Sequence, residues 1–371
     1  MSRSVRPELP ASAEEREALT HLAETASSVR AEDGFDVGAV HSWLSARLDG
    51  LESFPVVRQF TGGASNLTYL LSYPGRELIL RRPPRGSKAS SAHDMKREYC
   101  VQQRLRPLYR YVPEVLALCD DPAVLGSEFY VMERIQGLIP RRRMPEGVTL
   151  NEQQALLVST RAIDALVQLH QVDPRSAGLS DLGRGAGYVE RQVRGWSQRF
   201  RAARTPNVPD FEKTMAWLEG NRPDDVATCV IHNDFRLDNL VLDRADPVRV
   251  VGVLDWEMAT LGDPLMDLGS ALAYWVQADD DDLMQASRRQ PTHLPGMLTR
   301  RQVVNHYCSR TGLLADNWVF YEVFGLFRLA VIVQQIYRRF HLGQTTNPAF
   351  ADFWISVDYF DSRCRALASL G

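Results

Sequence analysis

Residues 229–242 of the sequence read CVIHNDFRLDNLVL, which is an apolar run, a polar stretch and a second apolar run. A further apolar run at 250–254 leads directly into Asp255-Trp256-Glu257. Short apolar runs bounded by polar turn residues are typical of buried strands. The pattern therefore predicts that Asp234, Asn239 and Asp255 leave strand ends and lie in loops on a rigid base.

These side chains suit phosphoryl transfer from a nucleotide. Magnesium takes a few oxygen ligands from protein, with water and phosphate filling the rest, and Asn239 and Asp255 supply such oxygens. Asp234 is then available to orient an attacking hydroxyl, and Arg236 to balance the charge of the transferring group. Asp and Asn also serve as turn and cap residues, but the whole set favours a kinase. We predict Asp234 and Arg236 as catalytic residues, Asn239 and Asp255 as metal ligands, and ATP and Mg²⁺ as cofactors.

The spacing H-x-D-x-x-x-x-N, followed by a later aspartate, resembles the catalytic loop of protein kinases. Asn233 in place of arginine, and Asp255-Trp256-Glu257 in place of D-F-G, point away from protein kinases. The combination is similar to the aminoglycoside phosphotransferase and choline kinase superfamily of small-molecule kinases. This resemblance implies an α+β, two-lobed protein-kinase-like fold. Its N-lobe is a small antiparallel β-sheet with one helix, and its larger C-lobe is mostly helical.

Three further residues have structural roles in the resembled fold. His232 braces the catalytic loop through hydrogen bonds and is not assigned as the base. Asp263 and Asp267 belong to a G-D-P-x-x-D pattern that is typical of this superfamily. The resemblance implies that Asp263 is a helix N-cap and that Asp267 braces the catalytic loop.

The order of elements along the chain agrees with the resemblance. We place a partly helical N-terminal extension at 1–50, the nucleotide-binding N-lobe at 51–136 and the catalytic, acceptor-binding C-lobe at 137–371. Within the N-lobe, alternating and apolar runs predict five strands and one helix. The strands are predicted at 56–60, 67–72, 77–82, 115–119 and 129–135, and the helix at 93–105.

Nucleotide-binding residues follow from the same comparison. Gly62, Gly63, Ser65 and Asn66 lie between the first two strands, where a phosphate-covering loop belongs. Glycines allow a close backbone approach to phosphate, and the serine hydroxyl can donate to it. A glycine pair alone is equally typical of a hairpin turn, so the position ahead of the other motifs carries this assignment.

Arg81 occupies the third-strand position where the resembled kinases carry a phosphate-binding lysine, and arginine can also hold phosphate. Glu98, on the following helix, is its predicted ion-pair partner, although a solvated helix face would also explain this glutamate. Residues 129–137 match the hinge of the fold. There the backbone near Glu133 and Ile135 is predicted to bind the adenine edge.

Composition excludes several other classes of protein. The chain has 371 residues and a formal net charge of 43 − 46 = −3, which argues against general nucleic-acid binding. Its five cysteines form no C-x-x-C pair, so we expect neither a zinc site nor disulfides, and a cytoplasmic location. The apolar run 318–337 contains Glu322 and Arg328, which predicts a buried helix rather than a membrane span.

Several stretches resemble one branch of the superfamily more closely. They are 60–68 (FTGGASNLT), 80–84 (LRRPP), 92–98 (AHDMKRE), 236–240 (RLDNL) and 321–324 (YEVF). They are similar to the kinase-like domain that animals fuse to acyl-CoA dehydrogenases acting on 4-hydroxy acids. The resemblance implies phosphorylation of a hydroxyl on a hydroxyacyl-CoA. Because 371 residues leave no room for a dehydrogenase domain, it also implies a separate acyl-CoA dehydrogenase in the same pathway.

The acceptor remains open between several hypotheses. Arg141-Arg142-Arg143 could receive coenzyme A phosphates, or be a solvated turn. The acidic run Asp279–Asp282 could attract a polycationic aminoglycoside, or be a solvated loop. An aminoglycoside or amino-alcohol kinase is therefore the rival enzyme. A catalytically silent nucleotide-binding regulator is a third hypothesis, which the arginine at position 81 favours and the intact Asp234, Asn239 and Asp255 set disfavours.

Overall fold

The computed structural model describes residues 26–60, 66–84 and 94–369. The chain divides into two compact units. Met1–Met95 and Leu116–Met132 belong to the first, and Lys96–Val115 and Glu133–Gly371 belong to the second. The first is rich in strands and the second in helices, as the predicted α+β class requires.

The regular elements are numbered here in chain order. The strands are β1 Val56–Phe60, β2 Leu67–Tyr73, β3 Arg76–Arg82, β4 Val115–Cys119, β5 Phe129–Glu133, β6 Cys229–Ile231, β7 Leu240–Leu242, β8 Val250–Val253 and β9 Thr260–Gly262. The helices are α1 Val37–Ser45, α2 Met95–Leu105, α3 Pro122–Leu125, α4 Glu152–His170, α5 Tyr188–Ala203, α6 Glu212–Gly220, α7 Pro264–Leu272, α8 Asp282–Ala286, α9 Arg300–Thr311, α10 Trp318–His341 and α11 Phe353–Ala368.

The first unit is built on a five-stranded sheet with the order β1-β2-β3-β5-β4. Its first three strands pair antiparallel, and Tyr69 of β2 lies opposite Leu80 of β3. Both side chains are fully buried in a core that also receives Val40 and Leu44 of α1. The described part of the predicted N-terminal extension therefore packs on the sheet, while residues 1–25 lie outside the described residues. The predicted boundaries at 50 and 136 stay predictions.

The second unit is organised around α10. This helix is long and apolar enough to cross a membrane, but 61% of its most apolar window is buried inside the protein. The predicted buried helix is confirmed. Its close contact with α7 depends on two glycines, since a Cβ on Gly269 would lie 2.5 Å from the Tyr321 carbonyl oxygen, and one on Gly325 would lie 2.2 Å from the Gly269 carbonyl oxygen.

Several predicted element boundaries were wrong by a few residues. The sequence also predicts helices at 265–277 and 348–368. The first ends at Leu272, because the N–H groups of Tyr274 and Trp275 bond to carbonyls three residues back and tighten the chain. The second is split into a 3₁₀ turn at Pro348–Phe350 and α11. The short strand β9 and helix α8 were not predicted.

Candidate active site

The catalytic loop predicted from the sequence, residues 232–239, connects β6 to β7. Strand β7 pairs with β8, and Leu240 lies opposite Val253. One step further along, the backbone N–H of Leu254 donates to the carbonyl oxygen of Asn239 at 2.8 Å. This register places Asn239 and Asp255 at the same end of the two-stranded ladder, as the sequence predicted for strand-end residues.

His232 is fully buried and holds the loop to the strand end. Its Nε2 lies 3.0 Å from the carbonyl oxygen of Leu254, and its Nδ1 lies 3.3 Å from the backbone nitrogen of Asp234. A carbonyl oxygen only accepts and an amide N–H only donates, so these contacts require the proton on Nε2. The imidazole is therefore fully used inside the protein, which confirms its predicted structural role.

Asp267 on α7 anchors the start of the loop. Its carboxylate accepts from the backbone N–H groups of His232 at 2.8 Å and Asn233 at 2.7 Å. His170 Nε2 lies 3.1 Å from the same carboxylate. Burial acts to raise the pKa of Asp267, but the hydrogen bond from His170 and the nearby histidines outweigh it and lower that pKa. The predicted brace is confirmed, and Asp263 is confirmed as the N-cap of α7.

Asp234 presents one carboxylate oxygen to the protein. Asn239 Nδ2 lies 3.1 Å from Oδ2 and also donates to the Asp234 carbonyl oxygen at 2.8 Å. Arg236 Nη2 lies 3.4 Å from the same Oδ2. Among the described residues no contact reaches Oδ1, and the side chain is 22% exposed. This oxygen is placed to accept a hydrogen bond from an incoming hydroxyl.

Arg236 lies between two carboxylates and an aromatic ring. Its guanidinium is 3.1 Å from Asp238 and 4.8 Å from the centre of the Tyr274 ring. Burial acts to lower the pKa of Arg236, but the charges of Asp238 and Asp234 outweigh it and raise that pKa. The arginine is therefore held as a permanent cation beside Asp234. Its predicted contact with the transferring phosphoryl group stays a prediction.

Asn239 and Asp255 fit a magnesium ion by the chemistry of their donors. Because Asn239 Nδ2 is committed to Asp234, the oxygen Oδ1 is the atom left to face a cation. Asp255 has a left-handed backbone conformation, with φ 68°. In the described part of the chain no group of three or more His, Cys, Asp or Glu side chains could hold a metal. One carboxylate and one carboxamide match the sparse protein ligands of magnesium.

The predicted nucleotide residues of the first unit are partly described. Gly62, Gly63 and Ser65 lie outside the described residues. Asn66 is buried immediately before β2. Arg81 of β3 lies opposite Thr68 of β2. Its neighbour Leu80 faces the core of this unit. Because successive side chains of a strand point to opposite faces, Arg81 lies on the sheet face away from that core. Their phosphate contacts stay predictions.

Glu98, Glu133 and Ile135 belong to the second unit. Glu98 is buried on α2, a helix whose Arg97 donates to the backbone oxygens of Glu257 and Ala259, just after Asp255. Ile135 packs on β8, where a Cβ on Gly252 would lie 2.7 Å from its side chain. Both segments are thus fixed to strands or turns next to the catalytic loop. The ion pair of Glu98 with Arg81 and the adenine contacts stay predictions.

A basic cluster lies near the catalytic loop and is defined here as Arg141, Arg142, Arg143, Arg288 and His293. Burial, and then the charges of Arg142 and Arg143, lower the pKa of Arg288. Burial, and then Arg288 and Arg142, lower the pKa of His293. Buried Nε atoms of Arg141 and Arg288, and Nδ1 of His293, have no hydrogen-bond partner within the described residues. The four arginines of the cluster are cations and suit an anionic ligand.

The basic cluster acts on the catalytic loop electrostatically. Burial raises the pKa of Asp238, and the nearby charges of Arg236 and Arg141 oppose that rise. Gln290, between Arg288 and His293 in sequence, accepts from the backbone N–H of Leu237 at 2.7 Å. The sequence analysis missed Gln290, which no motif marks.

In the acidic run Asp279–Asp282, three residues are exposed, and the interpretation as a solvated loop was wrong for Asp280. The Asp280 side chain is 5% exposed and lies 2.6 Å from Arg300 and 3.0 Å from Arg363. Asp281 caps α8 through the backbone N–H of Met284. Both acids therefore have partners within the fold. Those of Asp280, Arg300 and Arg363, are far from it in sequence, so the local pattern did not indicate them.

Comparison with known proteins identifies relatives of this arrangement. A family model described as the phosphotransferase enzyme family matches residues 56–302. A solved structure described as "a putative aminoglycoside phosphotransferase" from Ralstonia eutropha has a TM-score of 0.77 and 28% identity, and covers 91% of this chain and 99% of that one. Choline kinase from Cryptosporidium parvum has a TM-score of 0.63 over 90% of this chain and 96% of its own, and at 12% identity shows the fold alone.

Curated relatives extend the comparison. Acyl-CoA dehydrogenase family member 11 of mouse is 35% identical over 325 residues, which are 84% of this chain and 41% of that protein. Family member 10 of mouse is 34% identical over 312 residues, or 83% of this chain and 29% of that protein. The chain thus spans less than half the length of these relatives. The predicted kinase-like fold and superfamily are confirmed.

Proposed function

Because the chain belongs to the phosphotransferase enzyme family and is a small-molecule kinase, we propose that it phosphorylates a hydroxyl of an anionic acceptor. The proposed donor is ATP, with Mg²⁺, and the proposed acceptor is a hydroxyacyl-CoA or a related hydroxy acid. We propose a cytoplasmic location and no nucleic-acid or membrane partner.

The chain's own residues divide the chemistry between them. Oδ1 of Asp234 accepts a hydrogen bond from the acceptor hydroxyl and orients it toward the phosphoryl group. Asn239 and Asp255 hold Mg²⁺, which when bound neutralises charge on the nucleotide phosphates. Arg236, kept cationic by its two carboxylate neighbours, adds a positive charge beside the reacting oxygen. His232 and Asp267 keep the loop in place.

The basic cluster is the observation that supports a negatively charged acceptor. Arg288 and His293 are partly buried among other cations, and each has a buried nitrogen without a described hydrogen-bond partner. An anion such as a phosphate or carboxylate would pair with the arginines of this cluster and relieve their repulsion. Coenzyme A carries several phosphates, so a hydroxyacyl-CoA uses this cluster most fully.

The acidic run no longer supports a polycationic acceptor. Asp280 is already paired with two arginines and Asp281 caps a helix, so neither is available to an aminoglycoside. An aminoglycoside or amino-alcohol remains the rival acceptor because of the 28% identical solved structure. The names of the curated relatives favour an acyl-CoA acceptor, and a separate acyl-CoA dehydrogenase in the same pathway is the corresponding proposal.

The test is magnesium-dependent ATP consumption with a panel of acceptors. The panel contains 3- and 4-hydroxyacyl-CoAs, free hydroxy acids, aminoglycosides and choline. Arg288→Gln is compared with Arg301→Gln, an exposed arginine outside the basic cluster. We expect turnover of a hydroxyacyl-CoA, with KM raised by about tenfold in the first variant because a charged hydrogen bond is lost.

Turnover restricted to aminoglycosides or choline, with equal KM values in both variants, would contradict an anionic acceptor. ATP binding without turnover of any acceptor would instead favour the silent regulator.

A further inference from the structure

A second concave site lies beside the catalytic loop, within the second unit. It is a cavity of 410 Å³, a volume typical of small-molecule pockets. Four arginines line it: Arg184, Arg191, Arg199 and Arg328. None of the described lining residues is Asp or Glu. We call it the arginine cavity.

Two of these arginines are fixed by backbone oxygens. Arg191 donates to the carbonyl oxygen of Gly185 at 2.6 Å and also to that of Ala186. Arg328, on α10, is 6% exposed and donates to the carbonyl oxygen of Asn233 at 2.8 Å. Neither contact neutralises the charge, since a carbonyl carries no net charge.

The other two are held only loosely. Arg199 lies over the Trp196 ring with its guanidinium 4.6 Å from the ring centre. Arg184 forms no hydrogen bond or ion pair with any described residue, and both side chains are exposed. Exposed guanidinium groups that line the same cavity as a buried one are well placed to bind an oxyanion bidentately.

The arginine cavity borders the catalytic loop but does not include the residues proposed to carry the phosphoryl transfer. Its lining includes Asn233 and Met258, but among the described lining residues neither Asp234 nor Asp255. None of its arginines belongs to the basic cluster assigned to the acceptor.

We propose that the arginine cavity binds a phosphate-bearing small molecule as a second ligand site. Four like charges around one concave space repel one another, and no Asp or Glu stands among the described lining residues to offset them. A phosphate group brings about two negative charges and three strong acceptors for guanidinium groups. This inference goes beyond the proposed function and does not depend on turnover.

The test is calorimetric titration of the full chain with inorganic phosphate. Arg184→Gln/Arg199→Gln removes the two exposed arginines of the cavity. Arg301→Gln/Arg339→Gln is the matched control, because it removes two exposed arginines elsewhere and changes the net charge equally. We expect phosphate affinity to fall by at least about tenfold in the first variant and to stay unchanged in the control.

The comparison isolates the cavity, because phosphate bound at the nucleotide site or the basic cluster persists in all three proteins. Equal affinities in the three proteins, or no binding to the wild type at millimolar phosphate, would overturn the proposal. An equal loss in the control would also overturn it, since binding would then depend on net charge alone. Unchanged urea midpoints of both variants show that they fold.

Discussion

The side-chain amide of Asn239 donates to Asp234 twice, at its carbonyl oxygen (2.8 Å) and at its Oδ2 (3.1 Å). This contact joins the proposed metal ligand to the proposed catalytic carboxylate. It also fixes which atom of each residue is left for substrate. In the proposed function, Oδ1 of Asp234 is the atom left for the acceptor and Oδ1 of Asn239 is the atom left for the cation.

Asn239→Asp should reduce phosphoryl transfer by at least about tenfold, because a carboxylate cannot donate to Asp234 and repels it. The measurement is kcat with the acceptor identified by the panel. Asn305→Ala, at an exposed position on α9, serves as the control and should be unchanged. Full activity in Asn239→Asp would show that the amide contact is dispensable.

Asp267→Asn should destabilise the protein by about 2–4 kcal/mol, because one buried oxygen becomes an NH₂ group facing a backbone N–H. Urea unfolding without ligands measures this effect independently of catalysis. Asp316→Asn, at an exposed aspartate with no described partner, should stay within about 0.5 kcal/mol. If the two variants unfold alike, Asp267 does not anchor the loop.

The Asp280 network should make stability depend on pH. Burial acts to raise the pKa of Asp280, but Arg300 and Arg363 outweigh it and lower that pKa in the folded protein. A lowered pKa contributes stability above the unfolded value, about 4, and this contribution is lost as pH falls through the folded value.

The prediction concerns the gap in unfolding free energy between wild type and Asp280→Asn. It should be largest near neutral pH and shrink below about pH 4. Using the difference removes the opposing effects of other groups, such as Asp361, whose pKa burial raises. A gap that is constant over this range would mean that the ion pairs do not contribute.

Two glycine substitutions should have opposite effects. In Gly137→Ala, the added Cβ would lie 2.3 Å from the Leu242 carbonyl oxygen, so we expect a loss of about 1–3 kcal/mol. In Gly195→Ala, on α5, the Cβ meets nothing within 4 Å, so we expect a gain of about 0.5–1 kcal/mol from helix propensity. Thermal unfolding of both variants provides the check, and the same sign for both would contradict the packing described at β7.

The sequence was sufficient to predict the catalytic loop and the strands on either side of it. Apolar runs on both sides of 232–239 predicted β6 and β7, and the spacing of the polar residues predicted their chemistry. Structural roles for His232 and Asp267 also followed from the resemblance, and the structure confirms them. These features are local, so a short stretch of sequence contains them.

The contacts that could not be predicted join residues far apart in the chain. Gln290 accepts from the backbone N–H of Leu237, and Arg328 of α10 donates to the carbonyl oxygen of Asn233. The only signal for Arg328 was a charge in an apolar run. Asp280 meets Arg300 and Arg363, which no periodicity relates to it. Such pairings depend on the fold, and the charge run alone suggested a solvated loop.

The most direct test of the kinase assignment is transfer of the γ-phosphoryl group from ATP to an acceptor hydroxyl in the Asp234→Asn protein. Asn keeps the shape but loses the carboxylate that orients the hydroxyl. With Mg²⁺ and the best acceptor of the panel, we predict that kcat falls by at least about a hundredfold, while Asp316→Asn keeps the wild-type rate. Equal transfer rates in Asp234→Asn and wild type would contradict the assignment of this loop as the catalytic centre.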